Sequence, residues 1–249
     1  MKTIHETGVF KYPDTNSSRA GIDYMNSKFE RQKIAIIGMG GTGSYILDQV
    51  AKTPVKEIHI FDGDIFQLHN AFRSPGAIST EQLEAKNGIK KVDYYYEIYS
   101  KMHNGIKPHS IYVTSENVHE LKDFNYVFIS VDRNKARFNI TKSLLAMGVT
   151  FIDVGLGVNK FEDSLNGAIR ITVGSRMKND HLDSRIGSQE FEENEYANNI
   201  QIADLNGLNA MLAVVKWKKL SGFYQDIKKE HNILLFINTN KLFNEDNPT

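Results

Sequence analysis

The stretch AIIGMGGTGSYILDQV, residues 35–50, sets four glycines in the seven positions GMGGTGS, between an apolar run and a segment with apolar residues at helical spacing. KIAIIG, from Lys33, is a β-branched run ending in glycine. TGSYILDQVAKT follows as a helix, and EIHIFDGD as a second strand ending in acids. Strand, glycine turn, helix and strand within about thirty residues form the βαβ unit of a doubly wound sheet, with a right-handed crossover. In the turn, Gly38 permits the tight bend off the strand. Gly40 and Gly41 let backbone N–H groups approach a phosphate, and Gly43 permits close helix–strand packing.

The same alternation continues outward. A helical segment spans 80–103, with Gly88 interrupting it. HSIYVTS and YVFISVD read as strands with a short helix near 116–121 between them, and NKARFNITKSLLAMG reads as a helix. VTFIDVGLG and GAIRITVG are further strands. The fold class expected is α/β: a doubly wound, Rossmann-like, mostly parallel sheet with helices on both faces. NILLFIN and NKLFNED add a C-terminal antiparallel extension. The chain reads as a single domain over 1–249. Residues 1–30 form a polar arm that orders only if something packs on it. Residues 175–199 form a loop long enough to be functional. In the helix that follows, Ile202, Leu205, Leu208, Leu212 and Val215 form an apolar stripe for core or dimer packing. Trp217 and His59 read as packing residues.

Composition narrows the function. Lys plus Arg and Asp plus Glu both total 30, which argues against a nucleic-acid partner held by counterion release. No apolar run approaches the roughly 20 residues of a membrane span, so a soluble cytoplasmic protein is expected. With no cysteine, thiolate zinc sites and a cysteine nucleophile are excluded.

Asp62 stands 24 residues after Gly38 at the end of the second strand, where a carboxylate accepts hydrogen bonds from ribose hydroxyls. Up to this point a nicotinamide-dependent oxidoreductase and an ATP-using enzyme fit equally. FDGDIFQLHNAFR then places Asp64, Asn70 and Arg73 just beyond the strand, an acid, an amide and a guanidinium suited to a triphosphate.

The ordered set G-x-G-G-x-G, D-x-D, N-x-x-R and a later strand-end aspartate resembles the ThiF/MoeB/HesA superfamily of adenylating enzymes, relatives of ubiquitin-activating enzyme, over residues 33–173. The resemblance implies that Gly38, Gly40, Gly41 and Gly43 hold ATP, that Asp62 binds ribose, and that Asn70 and Arg73 contact phosphates. Asp132 in VFISVDRNKAR falls on the aspartate that works with Mg²⁺ at the reacting phosphates. The family's lysine falls on Lys91 by its KVD context, on Lys86 by spacing, with Lys90 a third choice. An arginine of one subunit's arm reaches the other subunit's phosphates in many relatives; Arg19 is the candidate, ahead of Arg31. The implied reaction is attack of a carboxylate on the α-phosphorus of ATP, giving an acyl-adenylate and pyrophosphate.

The implied carboxylate is the C-terminal glycine of a small ubiquitin-like or sulfur-carrier protein, covered by the 175–199 loop, in a homodimer. A ribosomally made peptide is a different substrate in the same class. Without cysteine the chain stops at the adenylate, and no zinc is expected. Asp180, His181 and Asp183 do not make a metal site, since no second histidine is near in sequence. The rivals from other classes are the oxidoreductase, for which Asn70, Arg73 and Asp132 are dispensable, and a non-catalytic carrier-binding module, which typically loses the arginine, lysine or aspartate.

Overall fold

A computed structural model describes residues 8–85, 88–186 and 200–244 of the chain. From residue 8 onward the arm is built on the body. Helix α1 (Thr15–Ala20) is capped by Asp14, whose carboxylate accepts from the amides of Asn16 and Ser17. A 3₁₀ turn, Asp23–Lys28, leads to Phe29, buried with its ring 4.9 Å from that of Trp217.

The βαβ unit follows as β1 (Lys33–Ile37), α2 (Gly41–Val50) and β2 (Glu57–Phe61). After β2 come α3 (Leu68–Ala71), α4 (Thr80–Ala85), α5 (Lys91–Tyr99), β3 (Ile106–His109), β4 (Tyr126–Ile129), α6 (Asn134–Met147), β5 (Thr150–Phe161) and β6 (Ser164–Gly174). Then come α7 (Leu182–Arg185), α8 (Ala203–Leu220), β7 (Asn232–Phe236) and β8 (Lys241–Asn244). The strands make one eight-stranded sheet in the order β3-β2-β1-β4-β5-β6-β7-β8. The first four pairings are parallel, and β5-β6, β6-β7 and β7-β8 are antiparallel.

One apolar core lies on the α2, α5 and α8 side, and a second on the α6 side. Covered on both faces, β1, β2 and β4 are buried along almost their whole length. Asp153, Arg170 and Thr172 therefore lie on the face opposite Ile152, Ile169 and Ile171, because side chains alternate along a strand.

Several expectations change. The strand after α5 is Ile106–His109, not the HSIYVTS segment beyond it, because pairing with β2 runs from Ile58↔Ile106 to Phe61↔His109 and ends there. The single helical segment is two helices, α4 and α5, with Gly88 between them at φ +82. The apolar stripe of α8 divides: Leu205 and Leu212 pack against the core, whereas Leu208 and Val215 are each 40% exposed. The buried residues of α8 are Asn206, Asn209, Ala210, Ala213, Val214, Lys216 and Trp217. A Cβ on Gly41 would meet the Asn206 amide at 2.2 Å, so at this closest approach of the two helices the partner side chain is polar. Trp217 packs as expected and donates its indole N–H to Gln32 at 2.9 Å. Within the 175–199 loop, Leu182 and Ile186 join the α6-side core; 187–199 lie outside the described residues, as does Lys86. Among the described residues no helix is long and apolar enough to cross a membrane.

Candidate active site

A cavity of about 730 Å³ runs along the ends of β1, β2, β4, β5 and β6 where the parallel strands stop. This is where ligands bind in doubly wound sheets, at the reversal of strand order. Strand order 2-1-4-5 places that reversal between β1 and β4, and residues following both strands line the cavity.

The glycine turn forms one wall. Gly38 has φ +88, and a Cβ there would lie 2.4 Å from the Ser130 carbonyl, so position and conformation both require glycine. A Cβ on Gly43 would lie 1.9 Å from the Gly38 carbonyl, the close helix–strand contact its place in the turn implies. The two middle glycines divide. Gly40 faces open space, with nothing within 4 Å of a built Cβ, whereas Gly41 is fixed by α8 through Asn206. A backbone turn left clear beside a helix N-terminus fits a phosphate group.

Asp62 braces this turn. Its carboxylate accepts from the amides of Met39 at 2.7 Å and Asp64 at 2.8 Å. A carboxylate has about four acceptor sites, so two remain for hydroxyl donors such as those of a ribose.

Lys91, the first residue of α5, enters the cavity. Its ammonium lies 2.8 Å from Asp64 and 3.8 Å from Asp62. The adjacent Lys90 instead donates to the Gly63 carbonyl at 2.6 Å. Asp64 also accepts from the Tyr112 hydroxyl, and the Tyr112 ring lies against Gly63. Burial alone raises the Asp64 carboxyl. The bonds from Lys91 and Tyr112 outweigh it and hold the group below the usual carboxylate range.

Arg73 lines the cavity and keeps its Nε buried with no hydrogen-bond partner. Asn70 does not line the cavity, contrary to its expected phosphate contact. Its side-chain carbonyl accepts from the Gln67 amide at 2.8 Å, closing the first turn of α3, and its backbone carbonyl accepts from the Arg73 amide at 3.2 Å. Asn70 thus shapes the short helix that delivers Arg73. Asp132 follows β4 at the mouth, exposed. Arg19 is exposed on α1 and does not line the cavity of its own chain.

The sequence reading missed the far end. Arg137 and Arg170 both line the cavity and share Asp153, which is 0% exposed: Arg137 Nε lies 3.0 Å from one carboxylate oxygen and Arg170 Nη2 2.6 Å from the other. Arg137 also donates to the Val131 carbonyl at 2.5 Å, tying the turn that carries Asp132 to this network. Burial lowers the Arg170 pKa from its ordinary value, and the Asp153 carboxylate opposes that shift. With Arg133, five cationic side chains line the cavity against the carboxylates of Asp62, Asp64 and Asp132. A chain with no net charge has concentrated positive charge where an anion would bind.

The family model described as the ThiF family matches residues 17–172. The chain belongs to the ThiF family. It is an adenylyltransferase of the ThiF type. The family match begins before β1 and takes in Arg19 and Arg31, which the motif set from Lys33 onward leaves out.

Solved structures agree in fold. The crystal structure of E. coli MccB with ATP aligns at TM-score 0.74 and 17% identity, covering 94% of this chain and 72% of that one. MccB with MccA-N7isoASN aligns at TM-score 0.73 and 16% identity over the same shares, 94% and 72%. PaaA aligns at TM-score 0.67 and 14% identity, covering 99% of this ThiF-family chain and 77% of its own. No curated protein matches the chain in sequence.

Proposed function

We propose that this chain uses ATP·Mg²⁺ to activate the C-terminal carboxylate of a polypeptide as an acyl-adenylate, releasing pyrophosphate. The observation that carries the reading is the convergence of the glycine turn, Arg73, Lys91 and Asp132 on one cavity that continues over β5 and β6. The turn amides and Arg73 bind phosphate oxygens. Lys91 leaves Asp64 to meet them, and Asp62 receives the ribose. Reactant repulsion between two anions is offset by these cations, and the attacking carboxylate needs no base because it is ionised at neutral pH.

Mg²⁺ fits one place. Asp132 is an exposed carboxylate at the mouth, and among the described residues no group of three or more acids and histidines could hold a metal alone. Magnesium is commonly held by one or two carboxylates together with substrate phosphates, and Asp132 supplies that share. When bound, the ion stabilises charge on the leaving pyrophosphate.

The polypeptide is a ubiquitin-like or sulfur-carrier protein, or a short peptide. MccB structures have been solved with MccA, which favours a peptide-sized partner. Arg19, supplied by a second copy in a homodimer, completes the phosphate cations. A nicotinamide-dependent oxidoreductase has no use for Arg73, Lys91 and Asp132 together, and a non-catalytic carrier-binding module has no reason to retain them.

The test is thermal stabilisation by ATP·Mg²⁺ against NADH, followed by ATP–pyrophosphate exchange. A ligand at a hundred times its dissociation constant adds about 2.7 kcal/mol, or several degrees for a chain of this size. Stabilisation by ATP·Mg²⁺ that Arg73→Ala removes is the expected result. Stabilisation by NADH alone overturns the reading.

A further inference from the structure

Among the described residues lining the cavity, Tyr112 is the one aromatic that carries a hydroxyl, and the adenylation reading gives it no task. Its backbone is fixed beyond the end of β3. The Asn117 side-chain amide donates to the Tyr112 carbonyl at 2.9 Å, and the Asn117 side-chain carbonyl accepts from the Thr114 amide at 2.8 Å. The ring lies against Gly63, where a Cβ would come within 2.6 Å of it, so the middle position of DGD needs glycine to admit the ring. From there the hydroxyl donates to one oxygen of the Asp64 carboxylate. The other oxygen accepts from the Lys91 ammonium at 2.8 Å.

Backbone bonds hold the two ends of this contact together. The Lys91 amide donates to the Asp64 carbonyl at 3.0 Å, and the Lys90 ammonium donates to the Gly63 carbonyl at 2.6 Å. What is left free to exchange is the side-chain pair itself.

Exposure is uneven across that pair: the Lys91 side chain is 10% exposed and that of Asp64 50%. An enclosed ammonium keeps an anionic partner, because a buried charge without one is costly. A half-exposed carboxylate turns to water at little cost, since water solvates it there. The partner of Lys91 is therefore replaceable by another anion that reaches the cavity. The Tyr112 bond works against that replacement, because it fixes one Asp64 oxygen and so keeps the other on the ammonium.

We propose that Tyr112 is a positioning residue for nucleotide binding: by holding Asp64 on Lys91, it makes the carboxylate an internal competitor for the cation that a phosphate oxygen needs. The inference rests on the adenylation reading above, in which Lys91 meets phosphate. Binding shared by ground state and transition state lowers KM without raising kcat, so a carboxylate that offsets part of it costs no rate.

The test is calorimetric titration of the full chain with ATP·Mg²⁺, comparing the native sequence with Tyr112→Phe. That substitution removes the hydroxyl and leaves ring and charge in place. Loss of one hydrogen bond that favours the competitor is expected to tighten ATP·Mg²⁺ binding about three- to tenfold. Adenosine, titrated as a competitor of ATP, has no phosphate to offer Lys91 and is expected to bind both chains equally. In a Lys91→Met background the gain from Tyr112→Phe is expected to fall below about twofold, because the two side chains act through one contact. If Tyr112→Phe fails to fold, Asp64→Asn takes its place, and its gain must be at least about threefold larger with Lys91 present than with Lys91→Met. ATP·Mg²⁺ binding that is unchanged or weaker in Tyr112→Phe overturns the assignment. So does a gain that adenosine shares or that survives Lys91→Met. A native chain that binds no ATP·Mg²⁺ overturns the adenylation reading and this inference with it.

Discussion

Replacing Asp153 by asparagine removes one charge and leaves the shape nearly unchanged, which isolates the electrostatics at the far end of the cavity. In the native chain both carboxylate oxygens are engaged, at 3.0 Å by Arg137 and at 2.6 Å by Arg170, in a side chain that is 0% exposed. Removing one partner of a buried ion pair costs about 3–5 kcal/mol, because the remaining charge is left uncompensated. Here the side-chain carbonyl of asparagine still accepts one bond from Arg170, so the lower end applies, about 3 kcal/mol. For a chain of this length that is a fall of about 6–12 °C in melting temperature. Urea denaturation at neutral pH is the assay, with the midpoint shifted and the slope retained. The double variant Asp153→Asn with Arg170→Met is expected to be less destabilised than the sum of the two, since the second change removes a charge the first had stranded. A loss below about 1 kcal/mol for Asp153→Asn refutes the reasoning, for it means water screens the two arginines as it does at a surface.

Gly43→Ala puts a Cβ 1.9 Å from the Gly38 carbonyl and forces α2 off β1, so a loss of about 1–3 kcal/mol is expected; an unchanged urea midpoint counts against the close packing. Lys91→Met removes a charged phosphate donor worth about 1.5–3 kcal/mol, hence a weakening of ATP·Mg²⁺ binding by about ten- to a hundredfold in calorimetry, and an unchanged Kd removes Lys91 from the site. Burial pushes both His59 and His103 down to about 4, from an ordinary 6.5. The unfolded chain therefore binds protons that the native chain does not between those values. Stability should fall as pH drops from 6.5 towards 4, by up to about 1.4 kcal/mol per pH unit for each histidine, and His59→Gln should flatten that slope. A pH-independent denaturation midpoint across this window contradicts it.

Elements whose signal is local were legible: the glycine turn, the strand before it, and the acids closing the next strand are adjacent in sequence because one βαβ unit makes them adjacent in space. Gly38, Asp62 and Arg73 could be named from that unit and the segment it feeds, whereas Lys91 comes only from the family resemblance, in competition with Lys86; all four line the cavity. Asn70 was misplaced because an N-x-x-R spacing does not say whether the amide faces a ligand or closes the helix that presents the arginine; here it closes the helix. The stripe of α8 held only in part, with Leu205 and Leu212 on the core and Leu208 and Val215 exposed, for a related reason. Apolar spacing marks the face that avoids water, but which face a helix presents to a close neighbour depends on how near the backbones come. Gly41 lets α2 come close enough to α8 that the Asn206 amide fills the space a Cβ would take. The far end of the cavity left a trace that was not read. Asp153 sits in FIDVG and Arg170 in AIRIT, each a charge flanked by apolar residues inside a strand pattern. A strand position of that kind is enclosed, and an enclosed charge needs an opposite one. Two such charges in consecutive strands are therefore evidence that the strands pair and that the charges share a face. The antiparallel register satisfies that constraint, with Asp153 opposite Thr172 and Arg170 two residues away on the same face.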